Sequence, residues 1–196
     1  MIRVTGTRSA DLTAVLRRAA TRGLVLAALL LLLPACQTMT PRGAAPQLAV
    51  PTDGNGALMD YIADQAYVTV EPAYRAVYIL WHNEVYAGGF AELTEELRAG
   101  GIVKREWDYP PDAVLDRASV GYMICRAATV RSGLNWQLTG LGRYAWRELN
   151  YLGIASPISE YGYVPGGQFI GVLARAEEYM HKSGTAPGPA DLGHAP

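Results

Sequence analysis

GFAELTEELRAGGIVKREWDYPPDAVLDRASVGYMICRAATV, residues 89–130, is the stretch whose reading decides the fold. Phe90, Leu93 and Leu97 recur at three- and four-residue spacing, the signature of an amphipathic helix with one apolar face. Gly100-Gly101 stops that helix, because glycine enters the left-handed C-terminal conformation without a Cβ clash. The loop IVKREWDYPPDAVL follows. Asp116 then stands where a side-chain oxygen can cap a new helix start. Beyond it, Val120, Met123, Ile124 and Ala127 define a second inward face. The stretch therefore reads helix, glycine stop, aromatic and Pro-rich loop, helix.

The same plan returns further along the chain. Glu96, Leu97, Gly101 and Ile102 recur 52 residues later as Glu148, Leu149, Gly153 and Ile154. Each set is followed by an aromatic loop, a proline (Pro111; Pro165) and a second helix. The later unit spans about 141–182. Its first helix, GRYAWRELNYL, presents Ala145, Leu149 and Leu152. Its last helix, QFIGVLARAEEYMHK, presents Phe169, Val172, Leu173 and Ala176. RSGLNWQLTG between the units reads as a loop. A single helix–loop–helix unit cannot bury its own apolar face, so such units pack on one another.

Upstream, Leu58, Tyr61, Ile62 and Ala66 suggest a short helix. Thr69 offers an N-cap and Pro72 sits in the first turn of the next helix, where its missing N–H costs little. That helix, PAYRAVYILWHNEVY, is apolar nearly all round, as expected of a buried central element. His82 falls near its end as a capping or half-buried residue. No long alternating segment argues for a strand. The fold class expected is all-α, about six helices: two helix–loop–helix repeats plus an N-terminal helical pair, over residues 57–183.

The repeat resembles the S-layer homology repeat. PPDAVLDRA matches that family's Pro-Asp loop leading into a Thr-Arg-Ala-Glu helix start. Arg117 and Ala118 stand on its Arg and Ala, while Asp116 and Ser119 replace its Thr and Glu. In the second unit Gly171 stands at the Arg position, six residues past Pro165, and Arg175-Ala176-Glu177 comes later, out of register. The family's members usually carry three repeats. Two are visible here, and residues 57–88 show no motif of a third. The resemblance implies binding of a cell-wall polymer through Arg117, with Trp107 and Tyr109 lining the groove.

The N-terminus gives the address. Ten apolar residues, Leu24 to Leu33, follow Arg17, Arg18 and Arg22 and precede Pro34, Ala35 and Cys36. A basic region, a short apolar core and a small-residue cleavage site make a secretory signal over residues 1–35. The core is too short to span a bilayer, which takes about 20 apolar residues. Leu33-Pro34-Ala35-Cys36 resembles the lipobox of bacterial lipoproteins. That resemblance implies a Cys36 carrying acyl groups such as palmitate, and Gln37 after it implies the periplasmic face of the outer membrane if the cell is Gram-negative. An acyl chain contributes about 0.8 kcal/mol per buried methylene, so two or more chains hold a protein stably. Residues 36–56, rich in Pro, Gly and small side chains, read as a flexible tether, and 184–196 as a disordered tail.

Cleavage after Ala35 leaves 161 residues with 12 basic and 17 acidic side chains, a net charge of −5. That balance argues against nucleic-acid binding and against polybasic attraction to anionic lipid. Acylation of Cys36 leaves Cys125 without a partner. Its apolar setting, GYMICRAA, favours burial as a small hydrophobe. The three histidines are scattered, so no metal site or cofactor is expected. A Cys125–His82 nucleophile pair is possible in principle, but the setting of the thiol argues against it. Glu95-Glu96 and Glu177-Glu178 diverge around their helices, and Gly140-Leu141-Gly142 has no strand before it. Twelve Tyr and four Trp against two Phe suit wet grooves, or plugs closing the repeat loops onto the core, the more ordinary use of such rings. The expected function is a non-catalytic, lipid-anchored envelope protein binding cell-wall glycan or peptidoglycan. The alternative is a module that docks to an envelope protein through an aromatic helical surface.

Overall fold

The computed structural model describes residues 49–186 except residue 53. The expected signal segment, Cys36, most of the expected tether and the expected tail from residue 187, with His194, lie outside the described residues. Seven helices follow in order: α1 Asn55–Ala63, α2 Val70–His82, α3 Phe90–Ala99, α4 Arg117–Ala127, α5 Leu134–Thr139, α6 Gly142–Tyr151 and α7 Gly166–Ser183. Among the described residues there is no strand, only two isolated bridges, so the fold is all-α.

The predicted faces are the buried ones. Leu93 and Leu97 of α3, Val120, Met123, Ile124 and Ala127 of α4, Ala145 and Leu149 of α6, and Phe169, Val172, Leu173 and Ala176 of α7 all enter one core. The two glycine stops share their conformation. Gly101 has φ +70° and Gly153 φ +73°. In both, the next two amides fold back on a leucine carbonyl: Ile102 and Val103 on Leu97, Ile154 and Ala155 on Leu149. Asp116 caps α4 by accepting from the Ser119 amide at 2.7 Å. Thr69 stands at the N-cap of α2 but makes no side-chain cap bond. Gln65 bonds it instead, Nε2 donating to its hydroxyl and Oε1 accepting from its amide.

There are three helix–loop–helix units among the described residues. The pairs α3–α4 and α6–α7 are joined by residues 100–116 and 152–165. The pair α1–α2 is joined by residues 64–69 alone. The extended residues before α2, α4 and α7 meet in a ring of backbone hydrogen bonds. Val68 donates to Val164 at 2.9 Å, Leu115 to Val68 at 3.1 Å, Val70 to Ala113 at 2.9 Å and Arg117 to Gly162 at 2.9 Å. The residue before each N-cap is buried in all three: Val68, Leu115 and Val164. So is the fourth helical residue: Ala73, Val120 and Phe169. The N-terminal helical pair is thus a third unit with a shortened link.

This alignment corrects the expected register. Pro165 stands at the N-cap of α7, where Asp116 stands for α4. The counterpart of Arg117 is therefore Gly166, not Gly171, and Arg175 is the counterpart of Arg126. Gly166 is required by a close approach: a Cβ there would lie 1.8 Å from the Ile62 carbonyl oxygen. The closest helix packing, α4 on α6, rests on the same device. A Cβ on Gly121 would meet the Trp146 backbone at 2.7 Å, and one on Gly142 the Ala118 carbonyl oxygen at 2.2 Å.

Three expectations fail locally. The first helix ends at Ala63, so Ala66, expected on its inward face, lies beyond it and is exposed. RSGLNWQLTG holds a helix, α5, bracketed by Gly133 (φ +83°) and Gly140 (φ +60°) and seated by buried Trp136. The helix expected to run to Tyr86 ends at His82, where Asn83 turns left-handed. Arg75 explains the path beyond. It is almost fully buried, pairs with Glu71 at 2.9 Å and donates to the Tyr86 and Gly88 carbonyls, fixing the connection to α3.

Candidate functional site

The candidate ligand residues fall in two places. Arg117 opens α4, and its Nη1 donates to the Ser159 carbonyl at 3.0 Å and to the Tyr161 carbonyl. Its guanidinium thereby holds the aromatic loop of the α6–α7 unit. Trp107 and Tyr109 lie together, ring centroids 5.6 Å apart, both half-buried. Trp107 meets Tyr122 at 5.4 Å, and the Tyr109 hydroxyl sits 3.5 Å from that of Ser119. Residues 117 and 119 are about 200° apart on a helix. Arg117 and the two rings therefore use different faces of α4, and the structure does not join them in one groove. Tyr161 is exposed, while Tyr163 packs edge-on against Tyr67.

Beside the ring cluster, at the C-terminal ends of α3 and α4, opens a cleft of about 720 Å3. Its walls carry Arg98, Lys104, Arg105, Arg126 and Arg131 against one carboxylate, Glu106. Five of the 12 basic residues expected after leader cleavage thus gather at one opening, on a chain that is acidic elsewhere. Tyr122 forms the hinge of the arrangement. Lys104 Nζ lies 4.9 Å from its ring centroid and Arg126 Cζ 5.6 Å, while Trp136 meets it edge-on at 5.5 Å. Cations over a ring face gain about 0.5–2 kcal/mol and are held in place without neutralising their charge. Arg98 is positioned differently. It pairs with Glu95 and donates to the Trp107 carbonyl, so one guanidinium ties α3 to the ring cluster. Among the described residues, Arg105, Arg126 and Arg131 make no ion pair. Such an opening attracts anionic groups and offers a ring edge beside them. Its volume lies within the range of roughly 300–1,000 Å3 common for small-ligand sites.

None of these five cations was singled out by sequence reasoning. The available signals were Lys104-Arg105 and the complete lack of acidic residues between Asp116 and Glu148. Cys125 borders the cleft from within the core. Burial pushes its thiol pKa far above the ordinary value, aided by the Glu148 charge, and its Sγ donates to the Ala145 carbonyl. It is a packed, neutral thiol, as its apolar neighbours suggested. His82 is half-buried, its ring against Trp81 and Tyr78. Among the described residues no group of three or more His, Cys, Asp or Glu side chains could hold a metal ion, and no helix is long and apolar enough to cross a membrane.

A second groove, about 310 Å3, lies among α1, α2 and α7. It is lined by apolar side chains such as Met59, Ile79, Leu80 and Leu173, with Asn55 and Ala186 at its border. Comparison with family models, curated proteins and solved structures finds no match for this chain.

Proposed function

We propose that this chain is a non-catalytic, lipid-anchored protein of the bacterial cell envelope whose helical domain binds an acidic cell-wall glycan such as peptidoglycan. The lipobox-like Leu33-Pro34-Ala35-Cys36 supports acylation at Cys36, and the glycine-stopped repeat supports the likeness to S-layer homology domains. The observation that carries the ligand reading is the cleft where Lys104, Arg105, Arg126 and Arg131 converge beside Tyr122 and Trp136. Carboxylates of a wall polymer would pair with the cations. A sugar face would lie on the Trp107 and Tyr109 edge of the ring cluster. Arg117 is not part of that cleft: its guanidinium clamps the 159–161 loop.

The test is retention of the mature chain on purified cell-wall sacculi. The double variant Lys104→Glu with Arg126→Glu is expected to lose roughly tenfold in retention, as reversing two charge contacts of ~0.7 kcal/mol each would give. Retention of the wild type should fall as salt rises. A wild type that is not retained, or a double variant retained equally, removes the glycan reading. Mass spectrometry of the natural protein tests the anchor. An acylated Cys36 at the N-terminus is expected, and an intact Met1 or an unmodified Cys36 overturns it.

A further inference from the structure

The most exposed leucines of the described residues sit together on α5. Leu134 retains 73% of its surface, Leu138 74% and Leu141, just past the helix, 40%. Leu134 and Leu138 are four residues apart and share a helix face. The opposite face is pinned. Trp136 is buried with Nε1 donating to the Val130 carbonyl, and Gln137 Nε2 donates to the same oxygen at 3.0 Å. Thr139 closes the turn on the Asn135 carbonyl at 2.6 Å. The leucines are therefore presented on an ordered turn, where bulky aliphatic groups face water at a cost.

Their electrostatic setting identifies what would cover them. From Arg117 to Arg147 the chain carries five arginines and no acidic residue. Arg117 is held on loop carbonyls and Arg147 pairs with Glu160 at 2.7 Å. Arg126, Arg131 and Arg143 make no ion pair among the described residues, and Arg143 lies over the Tyr144 ring at 4.8 Å. The net charge of −5 expected for the mature chain hides this segregation. An aliphatic knuckle flanked in sequence by Arg131 and Arg143, with one half-buried carboxylate, Glu148, packed against Gly133 at the start of the helix, matches an anionic bilayer: leucines enter the acyl boundary while arginines meet lipid phosphates. We propose that α5 is a second membrane contact, seating the domain on an anionic lipid surface through Leu134, Leu138 and Leu141. This goes beyond the glycan reading and depends neither on it nor on acylation.

The test uses residues 36–196 with Cys36→Ser, which removes the acyl site and keeps the entire core found within 49–186. Co-sedimentation is measured with vesicles of phosphatidylcholine containing about 30% phosphatidylglycerol, and with phosphatidylcholine alone. The chain is expected to partition onto the anionic vesicles and to be released by salt. Leu134→Asn with Leu138→Asn should lower partitioning about tenfold, and Arg143→Glu a few-fold. Both leucines face solvent, so the thermal midpoint of the double variant should match the wild type and exclude unfolding as the cause. No partitioning by the wild type, or equal partitioning by the leucine variant, overturns the proposal. So does a vesicle-free dimer that the leucine variant converts to monomer, which would assign the face to a second copy. Retention of the leucine variant on sacculi should be unchanged, so failure on vesicles and failure on the wall polymer read out separately.

Discussion

Arg126 and Arg175 occupy one position, ten residues past the N-cap, in the second helices of two units. They do different things. Arg175 Nε donates to the Ile154 carbonyl at 2.6 Å, tying α7 to its own glycine stop. Arg126 stays over the Tyr122 ring and points its charge into the cleft. The first helical position divides in the same way. Arg117 reaches across to clamp a loop, while Gly166 is bare because the Ile62 carbonyl leaves no room. Shared register therefore dictates where a side chain starts and leaves open whether it braces the scaffold or faces a ligand. The α3–α4 unit has kept a free cation where the α6–α7 unit has spent one.

The sharpest way to break this comparison is Gly166→Val. A Cβ 1.8 Å from a backbone oxygen forces α7 off α1, and the chain should lose about 3 kcal/mol or more of stability in denaturant unfolding. Next comes Arg117→Ala, which frees two loop carbonyls from a charged donor. A loss of about 1–2 kcal/mol is expected, with faster amide exchange around residues 159–162. Arg175→Ala removes a single charged donor from a half-exposed site and should cost about 1 kcal/mol while leaving retention on sacculi unchanged. Arg126→Ala should do the opposite. Its stability should stay within about 0.5 kcal/mol of wild type, and polymer retention should drop about twofold. If Arg126→Ala destabilises as much as Arg175→Ala, the two arginines share a structural role and the contrast collapses.

The smallest effect concerns pH. The Glu160 carboxyl is held below the ordinary glutamate range, first by its backbone hydrogen bond and then by the Arg147 guanidinium. A depressed folded-state pKa contributes stability above the unfolded value, and that contribution is lost as the pH falls through the folded one. Side-chain NMR should therefore find Glu160 titrating below the other surface glutamates, and Arg147→Ala should move it back upward. The thermal midpoint of wild type should decline slightly more than that of Arg147→Ala on acidification past the carboxylate range.

What was legible in the sequence was whatever is local. The faces of α3, α4, α6 and α7 repeat at helical spacing, and Gly101 and Gly153 mark their stops because only a left-handed residue fits there. Asp116 announces its cap by its type and place. The third unit was hidden because its link is six residues long and carries no Gly-Ile stop, so α1 and α2 read as a separate pair. Helix α5 was hidden because six residues give no period, and its exposed leucines run against the rule that apolar faces point inward. The cleft is a matter of convergence. Arg98 comes from α3, Lys104 and Arg105 from a loop, Arg126 from α4 and Arg131 from beyond it. Only their tertiary meeting makes a site, and overall charge, being a sum, conceals it. Trp107 and Tyr109, two residues apart in one loop, do bring their rings together, but neither lines the cleft. Arg117 was set apart from them by the turn of the helix.

The second groove has a topological consequence. Asn55, where α1 begins, and Ala186, beyond the end of α7, border the same depression. A short linker from 186 back to 55 would close the backbone into a loop, and new ends could be cut between α5 and α6 without severing any of the three units. Such a circular permutant would fold around the same ring of bonded segments, with its two ends at the α5–α6 connection.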